Sequence, residues 1–207
     1  MTRIILTRHG ETEWNIERRV QGRLDSPLTK KGLTQARSLA LRLRNESIQY
    51  LYSSDSPRAL ATAEEIRREI QLGRVISEPR IREFSFGDWE GKLWDELRQN
   101  YRDIFRIWDS TPQLVQVPSG DNMYCFSEKV WEYFRELITK HRGETICLVS
   151  HGLTLKLLVT KALGFTVDEW LKTPMQFNTA VNILEVKGTK INPVILGDCS
   201  HLETTGL

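Results

Sequence analysis

Cysteine is scarce in this chain: Cys125, Cys147 and Cys199 are odd in number, far apart and without a Cys-x-x-Cys pair. That argues against a disulfide framework and against a structural zinc site. Cys147, inside Ile146-Cys147-Leu148-Val149, reads as a small buried core residue. Four histidines leave little material for a His-rich metal cluster. Charge of one sign is lacking too. With 29 Lys and Arg against 27 Asp and Glu, the net +2 argues for neither nucleic acid nor an anionic membrane as the main partner. Long hydrophobic runs are missing: the apolar stretch at the N-terminus is far too short to span a bilayer, and no signal-type segment with a cleavage site follows it. The cytoplasm is the default location. No repeat, low-complexity tract or linker stands out, so a single domain over 1–207 with a full core is expected.

What is present is concentrated at the start. Ile4-Ile5-Leu6 reads as a buried strand, and it breaks at Gly10 directly after Arg8-His9. In α/β sheets the carboxyl ends of strands face the crevice where ligands bind. Arg8 brings a planar fork of donors suited to phosphate, and His9 a ring nitrogen that can act as a nucleophile near neutral pH.

Further along, Thr29 is a natural N-cap for a helix over about Lys30 to Asn45, whose Leu33, Ala36, Leu39, Ala40 and Leu43 recur at helical spacing. Ile48 to Ser53 reads as a second strand. Ser56-Pro57 then opens a helix running to about Ile70, with Arg58 in its first turn, where free backbone N–H groups favour an anion. A third strand is expected near Arg74 to Ser77. A helical, aromatic-rich stretch runs from Lys92 to about Ser110, followed by a Pro/Gly loop to Asp121. The helix from about Tyr124 to His141 leads to a strand over Thr145 to Ser150, which stops at His151-Gly152 before a helix from Leu153 to Leu163. Val181 to Val186 and Pro193 to Leu196 complete the strands, the second at an edge because Pro opens it. The alternation predicts an α/β three-layer sandwich: a mostly parallel central sheet, helices on both faces, and a helical cap insertion at about 92–121.

Three strand ends thus carry Arg8 with His9, Arg58, and His151. Two guanidinium forks can hold phosphoryl oxygens, and two imidazoles can serve as nucleophile and oxyanion donor. The chemistry still needs a carboxyl to protonate a leaving oxygen.

Leu6-Thr7-Arg8-His9-Gly10-Glu11-Thr12-Glu13-Trp14-Asn15, Ser53-Ser54-x-x-Pro57-Arg58-Ala59-x-x-Thr62-Ala63, Arg82-Glu83-Phe84-x-x-Gly87-x-Trp89-Glu90-Gly91 and Val149-Ser150-His151-Gly152 resemble the histidine phosphatase (phosphoglycerate mutase-like) superfamily in order and spacing, from residue 3 to residue 152. The resemblance implies a phosphohistidine at His9, a phosphoryl group held by Arg8, Arg58 and His151, and Glu83 as acid and base. It places Asn15 at a phosphate contact, Gln21, Gly22 and Gly152 among the substrate-binding residues, and no metal or cofactor. The implied partner is a small-molecule phosphate ester, bound by a monomer or homodimer. Attack by His9 further requires that its other ring nitrogen donate to a nearby carbonyl, fixing the tautomer.

Simpler roles compete for some residues. His141, at a helix end, can merely complement the dipole. His201 is structural unless the tail folds over the site. The aromatics Phe84, Phe86, Trp89, Trp94, Tyr101, Phe105 and Trp108 are mostly core, while a subset could line an apolar pocket for aryl or other hydrophobic esters. Two rival functions remain. A cofactor-dependent mutase would need basic residues for a second acidic group, but no Arg-Arg pair lies between Glu83 and His151. Leu153 and Gln21 also depart from the usual mutase residues. The other rival is a phosphate-binding module with a dead site.

Overall fold

The protein is described here from a computed structural model covering residues 1–203; the last four positions of the expected domain lie outside the described residues. Six strands, β1 (Thr2–Arg8), β2 (Tyr50–Ser53), β3 (Ile76–Ser77), β4 (Thr145–Ser150), β5 (Val181–Lys187) and β6 (Lys190–Asp198), form one sheet in the order β3-β2-β4-β1-β5-β6. The first four of that order run parallel, while β5 and β6 add on antiparallel. β6, which contains Pro193, takes the edge, where a missing N–H costs no ladder bond. The middles of the two central parallel strands, Ile4-Ile5-Leu6 and Ile146-Cys147-Leu148-Val149, are continuously apolar because both of their faces are covered. Ile4 and Leu6 enter one core layer and Ile5 the other, as a two-residue period demands.

The Ile5 side is covered by α2 (Lys30–Leu43) and α3 (Pro57–Glu69), through Leu39, Leu43, Ala59 and Ile66. The opposite side is covered by α6 (Met123–Lys140) and α7 (Gly152–Ala162). It also takes up residues 92–121, which fold as α4 (Trp94–Asn100), α5 (Arg102–Trp108) and a 3-10 turn at Pro112–Leu114. The single helix expected from Lys92 onward is therefore two, divided at Tyr101, whose backbone leaves the helical region. Thr12 caps a one-turn α1 (Glu13–Ile16) through a reciprocal bond with Asn15. A short α8 (Ser200–Glu203) packs on α2. Among the described residues no helix is long and apolar enough to cross a membrane.

Register sets up the crevice. Arg8 pairs with Ser150, and Ser53 with Val149, so β1, β2 and β4 end at one level. The residues that follow, His9, Ser54 and His151, emerge side by side at the carboxyl edge.

Candidate active site

His9 is buried, and its Nδ1 lies 2.8 Å from the Gly10 carbonyl. A carbonyl only accepts, so Nδ1 carries the proton and Nε2 keeps its lone pair. The expected tautomer is the one the backbone selects. Gly10 is obligatory on steric grounds: a Cβ there would sit 2.4 Å from the Gly32 carbonyl oxygen. Its N–H donates to Thr62 Oγ1 at 3.0 Å, and Asn178 Nδ2 donates to the His9 carbonyl at 3.0 Å. The His9 N–H itself donates to the Ser150 carbonyl at 3.1 Å, so three segments hold the histidine's backbone.

Arg58 is the hub of the cavity. Its Nε meets His9 Nε2 at 3.3 Å, and one terminal nitrogen reaches His151 Nδ1 at 3.2 Å and the Gly22 carbonyl at 2.8 Å. The other donates to the Leu24 carbonyl at 2.7 Å and to Asp25 Oδ1 at 2.8 Å. The sequence suggests an anion at the first turn of α3, and the structure puts the Asp25 carboxylate there, 3.4 Å from the Arg58 backbone N–H. Ser56 occupies the N-cap position but makes no side-chain capping bond. Gly22 adopts φ +51°, and a Cβ on it would strike the Glu90 carboxylate. Its part in the structure is thus to turn the loop so that its carbonyl steers Arg58.

His151 Nδ1 faces a guanidinium, so it accepts. Its Nε2–H then donates to Ser54 Oγ at 2.8 Å. The two imidazole centroids are 5.3 Å apart. Burial first, then the Arg8 and Arg58 charges, hold His9 well below the ordinary imidazole value. His151 is depressed in the same way, by burial and then by Arg58. Both rings are therefore neutral near pH 7.

Arg8 is lowered by burial, an effect partly offset by the Glu83 charge. One terminal nitrogen donates to the Gln176 carbonyl at 2.9 Å, and Nε has no partner among the described residues. Gly152 backs onto this guanidinium. Glu83 lies at the N-terminus of α7. It accepts from the N–H groups of Phe84 at 3.0 Å, Thr154 at 3.1 Å and Leu153 at 3.2 Å, and Thr154 Oγ1 lies 3.0 Å away. Asn15 Oδ1 takes N–H groups from Thr12 and Asn178, and Gln21 donates to Thr12 Oγ1 at 2.8 Å.

Eight of the nine residues singled out from the sequence line one cavity of about 360 Å³, and the ninth, His151, flanks it through Arg58. Phe86, Trp94 and Trp108 form an aromatic wall there, whereas Phe84, Trp89 and Phe105 are buried in the core. His141 is buried at the end of α6, between Tyr52 Oη at 2.9 Å and Glu144 at 2.7 Å. His201 lies 3.1 Å from Thr179 Oγ1, which anchors α8. Asp25, Thr62, Gln176 and Asn178 were not singled out, because their contacts arise only from folding. Ser54 and Thr62 lie within quoted motifs but offered no sign of their partners. Among the described residues no group of three or more His, Cys, Asp or Glu is arranged to hold a metal.

The sequence and the mixed α/β fold have counterparts among known proteins. The sequence profile of the histidine phosphatase superfamily (branch 1) matches residues 4–198. The chain is 34% identical to phosphoglycerate mutase-like protein 4 of Arabidopsis thaliana over 98% of its own length and 88% of the relative's. It is equally identical to phosphoserine phosphatase 1 of Hydrogenobacter thermophilus, over 82% and 80%. The structure of Bacillus stearothermophilus YhfR superposes with a TM-score of 0.92 and 38% identity, covering 98% of this chain and all of that one. The chain belongs to the histidine phosphatase superfamily.

Proposed function

We propose that the protein hydrolyses phosphate monoesters through a phosphohistidine on His9, drawing its electrostatic help from arginines rather than a metal. The observation that carries this reading is the Nδ1–H bond of His9 to Gly10, which leaves a buried, neutral Nε2 beside Arg58. Nε2 attacks phosphorus as the ester oxygen leaves, and the charge on the equatorial oxygens is met by Arg8 and Arg58. His151 joins them once a phosphoryl dianion draws a proton onto its Nδ1. Glu83 in its acid form gives its proton to the departing alkoxide. Ionised, it then takes one from the water that cleaves the P–N bond, returning His9 and releasing inorganic phosphate. Asn15, Gln21, Gly22 and Gly152 shape the substrate end. Acid-sensitive label from a ³²P-ester should be trapped on the wild-type chain and be absent from His9→Ala; equal labelling of the variant would dismiss the mechanism, and no label on either would favour the phosphate-binding module.

The cavity suits small metabolites, and its aromatic wall favours hydrophobic leaving groups, consistent with a broad-specificity phosphatase. In Trp108→Ala, KM for 1-naphthyl phosphate should rise about fivefold or more relative to methyl phosphate, the scale of one lost aromatic contact. A rise common to both esters would assign Trp108 to packing alone. The mutase reading gains nothing from Leu153, an apolar residue at the cavity wall. A cytoplasmic location fits three unpaired cysteines.

A further inference from the structure

The stretch from Gln176 to Thr179 reaches the catalytic residues without belonging to any helix or strand. The Gln176 carbonyl takes an N–H of Arg8 at 2.9 Å, and the Thr179 N–H donates to the Arg8 carbonyl at 3.1 Å. Between these two bonds the chain makes a tight turn, closed by the Ala180 N–H on the Phe177 carbonyl at 3.0 Å. The third residue of that turn, Thr179, has φ +58°. A turn usually gives such a left-handed position to Gly or Asn, and it is costly for a β-branched side chain. Thr179 is fully buried, and its Oγ1 lies 3.1 Å from His201 Nε2. Backbone strain of this kind persists only where the surroundings enforce it, and it gathers at functional sites. The residue that this turn presents is Asn178.

Asn178 Nδ2 carries two hydrogens and has two acceptors, the His9 carbonyl at 3.0 Å and Asn15 Oδ1 at 3.2 Å. The sense of the second bond is forced. The Thr12 N–H can only donate, and it lies 3.1 Å from the same Asn15 atom, which must therefore be the oxygen. Asn178 accordingly meets it with nitrogen. With its oxygen taken twice, Asn15 keeps its NH2 end for the cavity that it lines, whereas Asn178 does not line that cavity.

We propose that Asn178 is a positioning residue for phosphoryl transfer: its one amide nitrogen fixes the backbone of the nucleophile His9 and turns the Asn15 carboxamide so that its NH2 donates to a phosphoryl oxygen. This rests on the phosphatase reading. The strained Thr179 turn is what carries Asn178 to both partners at once. Asn178 acts through them and never touches the ester.

Two measurements separate its two partners. Competitive inhibition by inorganic phosphate reads Asn15, and the burst rate of phosphohistidine formation at saturating ester reads His9. Asn178→Asp keeps the shape, but its carboxylate has no hydrogen to donate and faces two oxygens. It should lower kcat/KM about 10²-fold, the scale of a misplaced reacting group. Asn178→Ala should lower it about tenfold, the scale of lost hydrogen bonding, with weaker phosphate inhibition and a slower burst. In an Asn15→Ala background, Asn178→Ala should change the phosphate inhibition constant by less than about twofold while still slowing the burst, because residues coupled by contact are not additive. The same proportional loss of phosphate affinity in both backgrounds would overturn the proposal. So would a lowered urea midpoint with kcat/KM unchanged, the mark of a purely structural tether. Should the variants fail to fold, NMR on the wild-type chain decides: as phosphate is added, the side-chain NH2 signals of Asn15 and Asn178 should move in step, and a stationary Asn178 signal would count against the role. Failure of the phosphatase reading looks different, with no ester turned over by the wild-type chain and no label on His9.

Discussion

Arg58→Met is expected to lower kcat/KM by about 10³-fold or more, the scale on which a guanidinium that meets a phosphoryl transition state contributes. No other side chain described here touches both imidazoles, and the same group ties down the Gly22 and Leu24 carbonyls and Asp25. Its loss therefore removes charge stabilisation and loosens the loop that forms one wall. Two backbone carbonyls lose their donor, which should cost about 2–3 kcal/mol of stability, read as a lower urea midpoint. The substitution also changes proton affinity in a known direction. Arg58 is one of the two charges that, after burial, depress His9. In the wild-type chain the His9 imidazole signal should stay neutral as pH falls through about 6.5, the ordinary value. In the variant it should take up its proton at a higher pH, nearer to that value. Unchanged titration together with a loss of less than tenfold would show that Arg58 merely holds the loop.

Glu83→Gln should separate esters by their leaving groups. A general acid helps most when the departing oxygen is a strongly basic alkoxide, and its removal slows such reactions by about 10²–10⁴. Alkyl phosphates should suffer a loss of that size, while p-nitrophenyl phosphate, whose leaving group departs without a proton, should be slowed far less in its first step. The amide still offers one oxygen to the N–H groups of Phe84, Leu153 and Thr154, so the α7 terminus keeps part of its bonding. A uniform slowing of all esters in burst-phase measurements would remove Glu83 from the role of proton donor. It would leave a group that only positions α7.

How much of this was legible beforehand can be seen residue by residue. The elements with clean periodicity and punctuation could be read closely. Thr29 caps α2 as expected, Ser56-Pro57 opens α3, and the strand over Thr145 to Ser150 has the expected limits. Each depends on side chains a few positions apart. The divided helix at Tyr101 and the capped turn at Thr12 were not foreseen, since the first turns on how the 92–121 segment packs around Trp89 and the second on a loop return. Arg8, His9, Arg58, Glu83 and His151 could be named because each lies in a short motif at an element boundary.

By itself the sequence determined which chemical groups would be available and at which strand ends they would stand, because hydrophobic period and turn residues act over short distances along the chain. Only the tertiary structure decided that Gly10 sets the His9 tautomer, that Asp25 takes the anion position at α3, and that Asn178 reaches both the His9 carbonyl and Asn15. Those outcomes depend on strand register and on close approach between segments far apart in the chain. Hydrogen bonds and burial of that kind have no local signature.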